Sequence, residues 1–257
     1  MIDSRAVIDP SAKIASDVEI GPYTIIGPNV EIGAGTWIGA NAVIFKNTKF
    51  GKNNKIYQFA SIGTDPQDFS FTNDENGWLI IGDYNVFHPC VTINRGTAKQ
   101  DLETRIGDYN MFMAYAHVAH DCRLGNHTLL MNSATLAGHI LVDDYAVIGA
   151  FCAVHQFCNV GRHSYISRGA MVVKDILPFL LVSGNEPKTY GLNKVGLERR
   201  GFGKEKIESL LKAYKMIFRK SLNTAEAIIA LKNLLEDCAE VEYFIEGLQR
   251  AQRGIVR

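Results

Sequence analysis

A large apolar residue recurs at every sixth position through most of this chain. From Ile2 the stops are Ile8, Ile14, Ile20, Ile26, Ile32, Ile38, Ile44, Phe50, Ile56 and Ile62. The frame breaks, resumes as Ile81, Phe87 and Ile93, breaks again, and then runs from Ile106 through Phe112 and Val118 to Val172. No helix has a period of six, but a strand of two or three residues plus a turn does. Two residues before each stop stands a mostly small residue, such as Ala12, Ala42, Ala116, Cys122, Ala134 or Cys152. Strand side chains alternate faces, so both seats point inward. One large and one small inward residue per six suits a narrow prism, and glycine after the large one (Gly21, Gly27, Gly33, Gly125, Gly149) marks the turn. The pattern predicts a mainly β fold, a parallel β-helix of hexapeptide repeats over residues 1–187. Spacing alone does not give its hand.

The two frame breaks, 64–80 and 94–105, are polar and read as loops leaving the prism, where function often sits. After Pro187 the repeat is gone, and residues 188–257 read as a small helical part. Ile207, Leu210, Leu211, Tyr214 and Ile217 have helical spacing, Asn223 with Glu226 resembles a capping box opening a helix over 224–237, and a last helix spans about 241–250. Cys122, Cys152 and Cys158 sit at small inward seats, which predicts packing rather than reactivity. Outward residues eighteen apart sort by face, and one face carries Met111, Leu129, Val147 and Tyr165. Such an apolar stripe is buried either by another copy of the chain or by the chain's own C-terminal part. Acidic and basic residues balance at 27 each, which gives no electrostatic case for nucleic acid or a membrane surface. With no long apolar run and no C-x-x-C pair, the expectation is a cytoplasmic chain with reduced thiols.

Three strands close one coil, so residues eighteen apart stack at the inter-strand spacing. His120 then lies under Gly138 and Gly138 under Gln156; Asp121 lies under His139 and Ala137 under His155. HVAHD (117–121), AGH (137–139) and HQF (155–157) converge on one corner, with four of the seven histidines. They could be plain turn residues. They could bind zinc, although their spread over three coils matches no established metal geometry. Or they carry proton chemistry, with His120 as general base, Asp121 orienting it and the Gly138 N–H facing an oxyanion. That is an acyl-transfer layout. No nucleophilic Ser or Cys is evident beside it, so an acceptor hydroxyl or amine attacks directly.

QFASIG (58–63), PQD (66–68), VTINRGT (91–97), HVAHDC (117–122), ATLAGH (134–139), AVHQF (153–157) and GLNKVGLERRGF (191–202) together resemble the acyl-[acyl-carrier-protein]–UDP-N-acetylglucosamine O-acyltransferase family, which opens lipid A synthesis. The resemblance spans essentially the whole chain. It implies a left-handed β-helix, a homotrimer with sites between subunits, and no cofactor or metal. It implies transfer of a 3-hydroxyacyl chain from acyl carrier protein to the sugar 3-position. His120 would act as base, Asp121 would assist and Gly138 would stabilise the oxyanion. Asp68, His117, His139 and Gln156 would hold the sugar nucleotide or neighbouring groups, with His155 alongside. Asn193 would meet the nucleotide, and Arg199 and Arg200 its phosphates. Three positions depart from the family pattern: Ser70 replaces a usual lysine, Val195 a glutamate, and Arg168 a small residue associated with acyl-chain length. An Arg168 pointing into the groove would shorten the chain accepted. Ser70 and Val195 motivate a weakly active paralogue that binds the same ligands; acylation of a 3-amino sugar and, from the histidine cluster, a zinc-dependent hydratase also stay open.

Overall fold

The computed structural model describes residues 1–72, 76–220, 222–236 and 238–257. The hexapeptide frame becomes two-residue strands joined by four-residue turns, stacked coil on coil. Among the described residues three sheets line the sides of the prism. The first runs from Val7–Ile8 to Met171–Val172 (nine strands), the second from Lys13–Ile14 to Asn159–Val160 (eight), and the third from Glu19–Ile20 to Lys188–Leu192 (ten). Pairing within the regular coils is parallel with a register of eighteen, for example His117 with Thr135 and Thr135 with Ala153. The inward seats are closed to solvent: Ile38, Ile44, Ile56, Phe87, Phe112 and Val118 are each 0 % exposed. Cys122, Cys152 and Cys158 are buried among them, and burial raises all three thiols, Cys122 to about 12 and Cys158 to about 11. Neutral, packed thiols are the result.

The glycines that follow the large residue do mark the turns. The left-handed seat is not the glycine after the large residue. It falls two positions later and is mostly held by non-glycine residues such as Tyr23 (φ 60°), Asp121 (φ 61°) and His139 (φ 61°). The glycines serve close approach instead. A Cβ on Gly21 would lie 2.7 Å from Ala40 N, and one on Gly33 2.3 Å from Gly51 O, in the next coil.

At the corner between the second and third sheets the left-handed seats form an aromatic ladder. Tyr84, Tyr109, His127, Tyr145, His163 and Phe179 stack in order, with ring centroids 4.7–5.7 Å apart. His127, outside the histidine cluster and easily taken for ordinary surface, is exposed but is a rung of this ladder. Phe179 passes the stack on to Phe202, Tyr243 and Phe244 of the C-terminal part. His163 is 8 % exposed, and its Nδ1 has no partner among the described residues. Burial first, then the nearby charges of Arg200 and Arg162, hold its pKa down at about 4 against 6.5 unfolded. Such a histidine binds its proton more readily unfolded than folded. Its contribution is therefore complete above pH 6.5 and is lost as pH falls towards 4. The shift corresponds to roughly 3 kcal/mol. A His163→Phe variant, which keeps the stack without the titration, is expected to melt with less acid sensitivity than wild type between pH 7 and 4.5, in thermal scans.

The loop excursions are shorter than the frame breaks. Strands Ser61–Thr64 and Trp78–Ile81 bound the first, Thr92–Asn94 and Glu103–Ile106 the second. Leu79 and Ile81 are both buried, so the prism reclaims the chain before position 80; residues 73–75 lie outside the described residues. Arg95, 0 % exposed, ties the two excursions together, 2.5 Å from Asp65 and over the Phe71 ring.

Beyond Pro187, Lys188–Leu192 is still a strand, antiparallel to Leu180–Ser183. Helices α1 (Lys194–Arg199), α2 (Lys204–Arg219), α3 (Thr224–Lys232) and α4 (Glu242–Arg250) follow. The capping box forms, with Asn223 and Glu226 each holding the other's backbone N–H. Helix α3 stops at Lys232, short of the expected end at 237; that last position lies outside the described residues. Among the described residues no helix is long and apolar enough to cross a membrane. The apolar stripe of the third sheet is partly walled by the chain itself. Leu129, Val147 and Tyr165 floor a groove of about 640 Å³ whose other side is Val195, Gly196, Arg199 and Arg200, while Met111 stays exposed.

Candidate active site

The eighteen-residue register delivers His120 and Gly138 to the corner between the first and second sheets. A Cβ on Gly138 would lie 2.7 Å from His120 Cε1 and 3.0 Å from Nε2, so glycine here leaves room for the imidazole. Gly138 is buried, and its N–H donates to no group among the described residues. That is true of this seat at neighbouring turns as well. Here the free N–H lies beside an imidazole.

His120 Nδ1 is 2.7 Å from Asp121 Oδ2. The Asp121 carboxylate is 0 % exposed and doubly held by Thr97, whose N–H donates to Oδ1 at 2.8 Å and whose hydroxyl donates to Oδ2 at 2.6 Å. Burial pushes the Asp121 pKa up, but hydrogen bonds from His120 and Thr97 outweigh it, and the net direction is down. An ionised Asp121 fixes Nδ1 as the protonated nitrogen and leaves the Nε2 lone pair outward. Among the described residues the nearest carboxylate there, Asp68 Oδ2, is 4.0 Å away, too far for a hydrogen bond.

His139 stands edge-on to His120 with centroids 5.1 Å apart and stacks on Phe157 at 4.6 Å. Its Nδ1 faces Gln100 Oε1 at 2.7 Å. Burial lowers its pKa, with the Asp121 charge opposing and those of His120 and Lys99 adding to the depression. His117 Nδ1 meets the Thr92 hydroxyl at 2.8 Å, and burial followed by the His120 charge holds its pKa down as well. Both shifts favour the neutral ring, which offers a polar ligand one donor and one acceptor. Asp68 Oδ1 accepts from Ser70 N–H and hydroxyl at 2.9 and 2.8 Å, and Oδ2 accepts from Lys99 at 2.5 Å. The lysine contact first, then the two from Ser70, carry its pKa well below the carboxylate range. Gln156 and His155 lie exposed on the next coil at the same corner, His155 Nδ1 turned to the Gln156 carbonyl at 3.1 Å.

His120, Asp121 and His139 offer ligand atoms within 4.8 Å of one another, the spacing a metal ion could bridge. The donor chemistry fits a hydrogen-bonded dyad better. Nδ1 and Oδ2 face each other directly at 2.7 Å, and both carboxylate oxygens already accept from Thr97.

The remaining predicted residues are not at this corner. Asn193 is 8 % exposed, caps α1 through Gly196 N–H and donates to the His163 carbonyl at 3.0 Å. Arg200 donates to the Tyr145 carbonyl at 3.0 Å and lies over its ring, so it is no solvated charge; Arg199 beside it is exposed. Tyr145 and His163 belong to the second–third corner, one prism edge away from His120. Val195 is 58 % exposed on α1. Arg168 is exposed at the third–first corner, and within one chain it does not enter the His120 corner. Sequence reading missed Thr97, Lys99, Gln100 and Thr92. VTINRGT contains two of them, but nothing in a loop off the frame says which side chains fold back.

The chain is similar to proteins of known family. The family model described as UDP N-acetylglucosamine O-acyltransferase, domain 2, matches residues 175–256, and the bacterial transferase hexapeptide model (six repeats) matches 1–34. A curated acyl-[acyl-carrier-protein]–UDP-N-acetylglucosamine O-acyltransferase of Pseudomonas aeruginosa strain PAO1 is 45 % identical over 257 residues, covering 100 % of this chain and 99 % of that protein. Solved UDP-N-acetylglucosamine acyltransferases from Francisella novicida and Moraxella catarrhalis each share 40 % identity and cover 100 % of this chain, with TM-scores of 0.98 and 0.96, over 94 % and 99 % of their own lengths. The fold is the left-handed parallel β-helix with a small C-terminal helical part. With full-length identity of this order, the chain belongs to the acyl-[acyl-carrier-protein]–UDP-N-acetylglucosamine O-acyltransferase family.

Proposed function

We propose that this chain transfers a 3-hydroxyacyl group from acyl carrier protein to the 3-hydroxyl of UDP-N-acetylglucosamine, the first step of lipid A synthesis. The observation that carries this reading is the His120 imidazole, bonded to Asp121 at Nδ1, without a hydrogen-bond partner at Nε2 among the described residues and set against Gly138. Nε2 takes the proton of the sugar hydroxyl as its oxygen bonds to the thioester carbonyl carbon. Asp121 stabilises the imidazolium that forms. The carbonyl oxygen becomes an oxyanion facing the Gly138 N–H. Collapse breaks the carbon–sulfur bond, and the imidazolium returns its proton to the carrier's thiolate. No cofactor enters this balance. Asp68, His117, His139, Gln156 and His155 bind the sugar side.

We place the nucleotide on a second copy of the chain. Asn193, Arg199 and Arg200 sit at a different corner from His120, so a site using all of them needs two subunits. The open part of the third-sheet groove is then the face for that contact, and a cytoplasmic homotrimer satisfies it by closed symmetry. Arg168, at the third corner, would face the neighbour's acyl groove and limit chain length.

The test is thioester turnover with UDP-N-acetylglucosamine and 3-hydroxyacyl carrier proteins of several lengths, beside the 3-amino sugar nucleotide. Absence of product with every chain overturns acyl transfer, and product with the amine alone moves the acceptor to nitrogen. Shared sites have their own consequence. His120→Ala and Arg199→Ala chains, each poorly active, are expected to recover about a quarter of wild-type activity when refolded together, because random mixing leaves one pairing in four intact. No recovery in the mixed assembly places the whole site in one chain.

A further inference from the structure

Residues 97–100 lie off the hexapeptide frame, yet within four positions they touch three groups of the site. Thr97 clamps Asp121 and Gln100 meets His139. Between them Lys99 sets its ammonium 2.5 Å from Asp68 Oδ2, and that oxygen is 4.0 Å from His120 Nε2. A positive charge therefore stands one carboxylate away from the nitrogen that takes the proton.

Asp68 does not depend on Lys99 for its orientation, since Ser70 holds its other oxygen with two hydrogen bonds. The lysine side chain is 48 % exposed, and an ion pair so open to water is easily exchanged. A sugar nucleotide whose 3-hydroxyl meets Nε2 carries its diphosphate on the same ring, two carbons away. That brings concentrated negative charge towards the Asp68 carboxylate, and a cation between them removes the repulsion.

We propose that Lys99 is a substrate-binding residue whose ammonium exchanges Asp68 for the diphosphate of the sugar nucleotide. This rests on the acyl-transfer reading above. Ser70 flanks the same carboxylate, so a lysine at position 70 would put an ammonium in the same place from the other loop.

The experiment compares wild type, Lys99→Ala, Lys99→Arg and the double variant K99A/S70K, in turnover and in calorimetric binding of UDP-N-acetylglucosamine. Lys99→Ala is expected to raise KM and Kd for the sugar nucleotide about tenfold, with kcat and the KM for acyl carrier protein changed less than about twofold. Lys99→Arg and K99A/S70K are expected to return both constants to within about threefold of wild type. The wild-type KM rises with salt more steeply than that of Lys99→Ala. Equal affinity of Lys99→Ala and wild type overturns the proposal whatever the turnover. A loss of kcat at unchanged KM also overturns it, by showing that Lys99 acts through Asp68 alone. Wild type that binds the sugar nucleotide but forms no product overturns the acyl-transfer reading and leaves Lys99 judged by Kd. Wild type that does not bind it overturns both.

Discussion

Replacing His120 by alanine is expected to lower kcat by about 10²–10⁴-fold, the range a positioned general base contributes. The imidazole has an ionised carboxylate 2.7 Å from one nitrogen and, among the described residues, no hydrogen-bond partner on the other. No neighbour takes over its task without rearrangement: His139 is turned to Gln100 and His117 to Thr92. His120 occupies a turn rather than an inward seat, so its loss leaves the stack of Ala116, Val118 and Cys122 intact. The melting temperature of the variant should therefore stay close to that of wild type, and the KM for either substrate should change little. Single-turnover rates on purified protein check this. Unchanged kcat would remove His120 from the mechanism and leave the corner as a binding site.

Gly138→Ala should cost nearly as much for a different reason. Its new methyl would sit 2.7 Å from His120 Cε1, a distance that real contacts do not reach. The ring must turn, which breaks the aligned bond to Asp121, because Thr97 holds that carboxylate in place. A displacement of this size at a reacting group lowers kcat by about 10²-fold or more. His120→Ala/Gly138→Ala should be no slower than His120→Ala alone, since the methyl then has no imidazole to displace. A double variant as slow as the sum of the two losses would mean that Gly138 acts independently of His120.

The prism was legible because its constraint is local and repeated. Each inward seat is buried from both sides, so a polar residue there carries a desolvation cost at every coil. That pressure writes a period of six, and the period yields the register that places His120 beside Gly138 without any coordinates. The role of glycine was legible only in part, for a related reason. Sequence shows that a turn needs a small residue, but whether the need is a left-handed backbone or room for the adjacent coil depends on a neighbour eighteen residues away. The ladder containing His127 was hidden likewise, since its rungs become a stack only at the coil spacing.

The sequence by itself determined the coil, its eighteen-residue register, the cluster on one corner and the family motifs in order. Burial and strand alternation act on neighbouring residues, so their pattern survives in one dimension. Tertiary structure decided what lies off the frame. The excursion carrying Thr97, Lys99 and Gln100 folds back onto Asp121, Asp68 and His139, and no periodicity encodes where a loop closes. It also decided that Asn193 and Arg200 anchor on the edge of Tyr145 and His163 rather than beside His120. Those contacts join residues 30 and 55 positions apart, and long-range packing of that kind exists only once the chain has closed on itself.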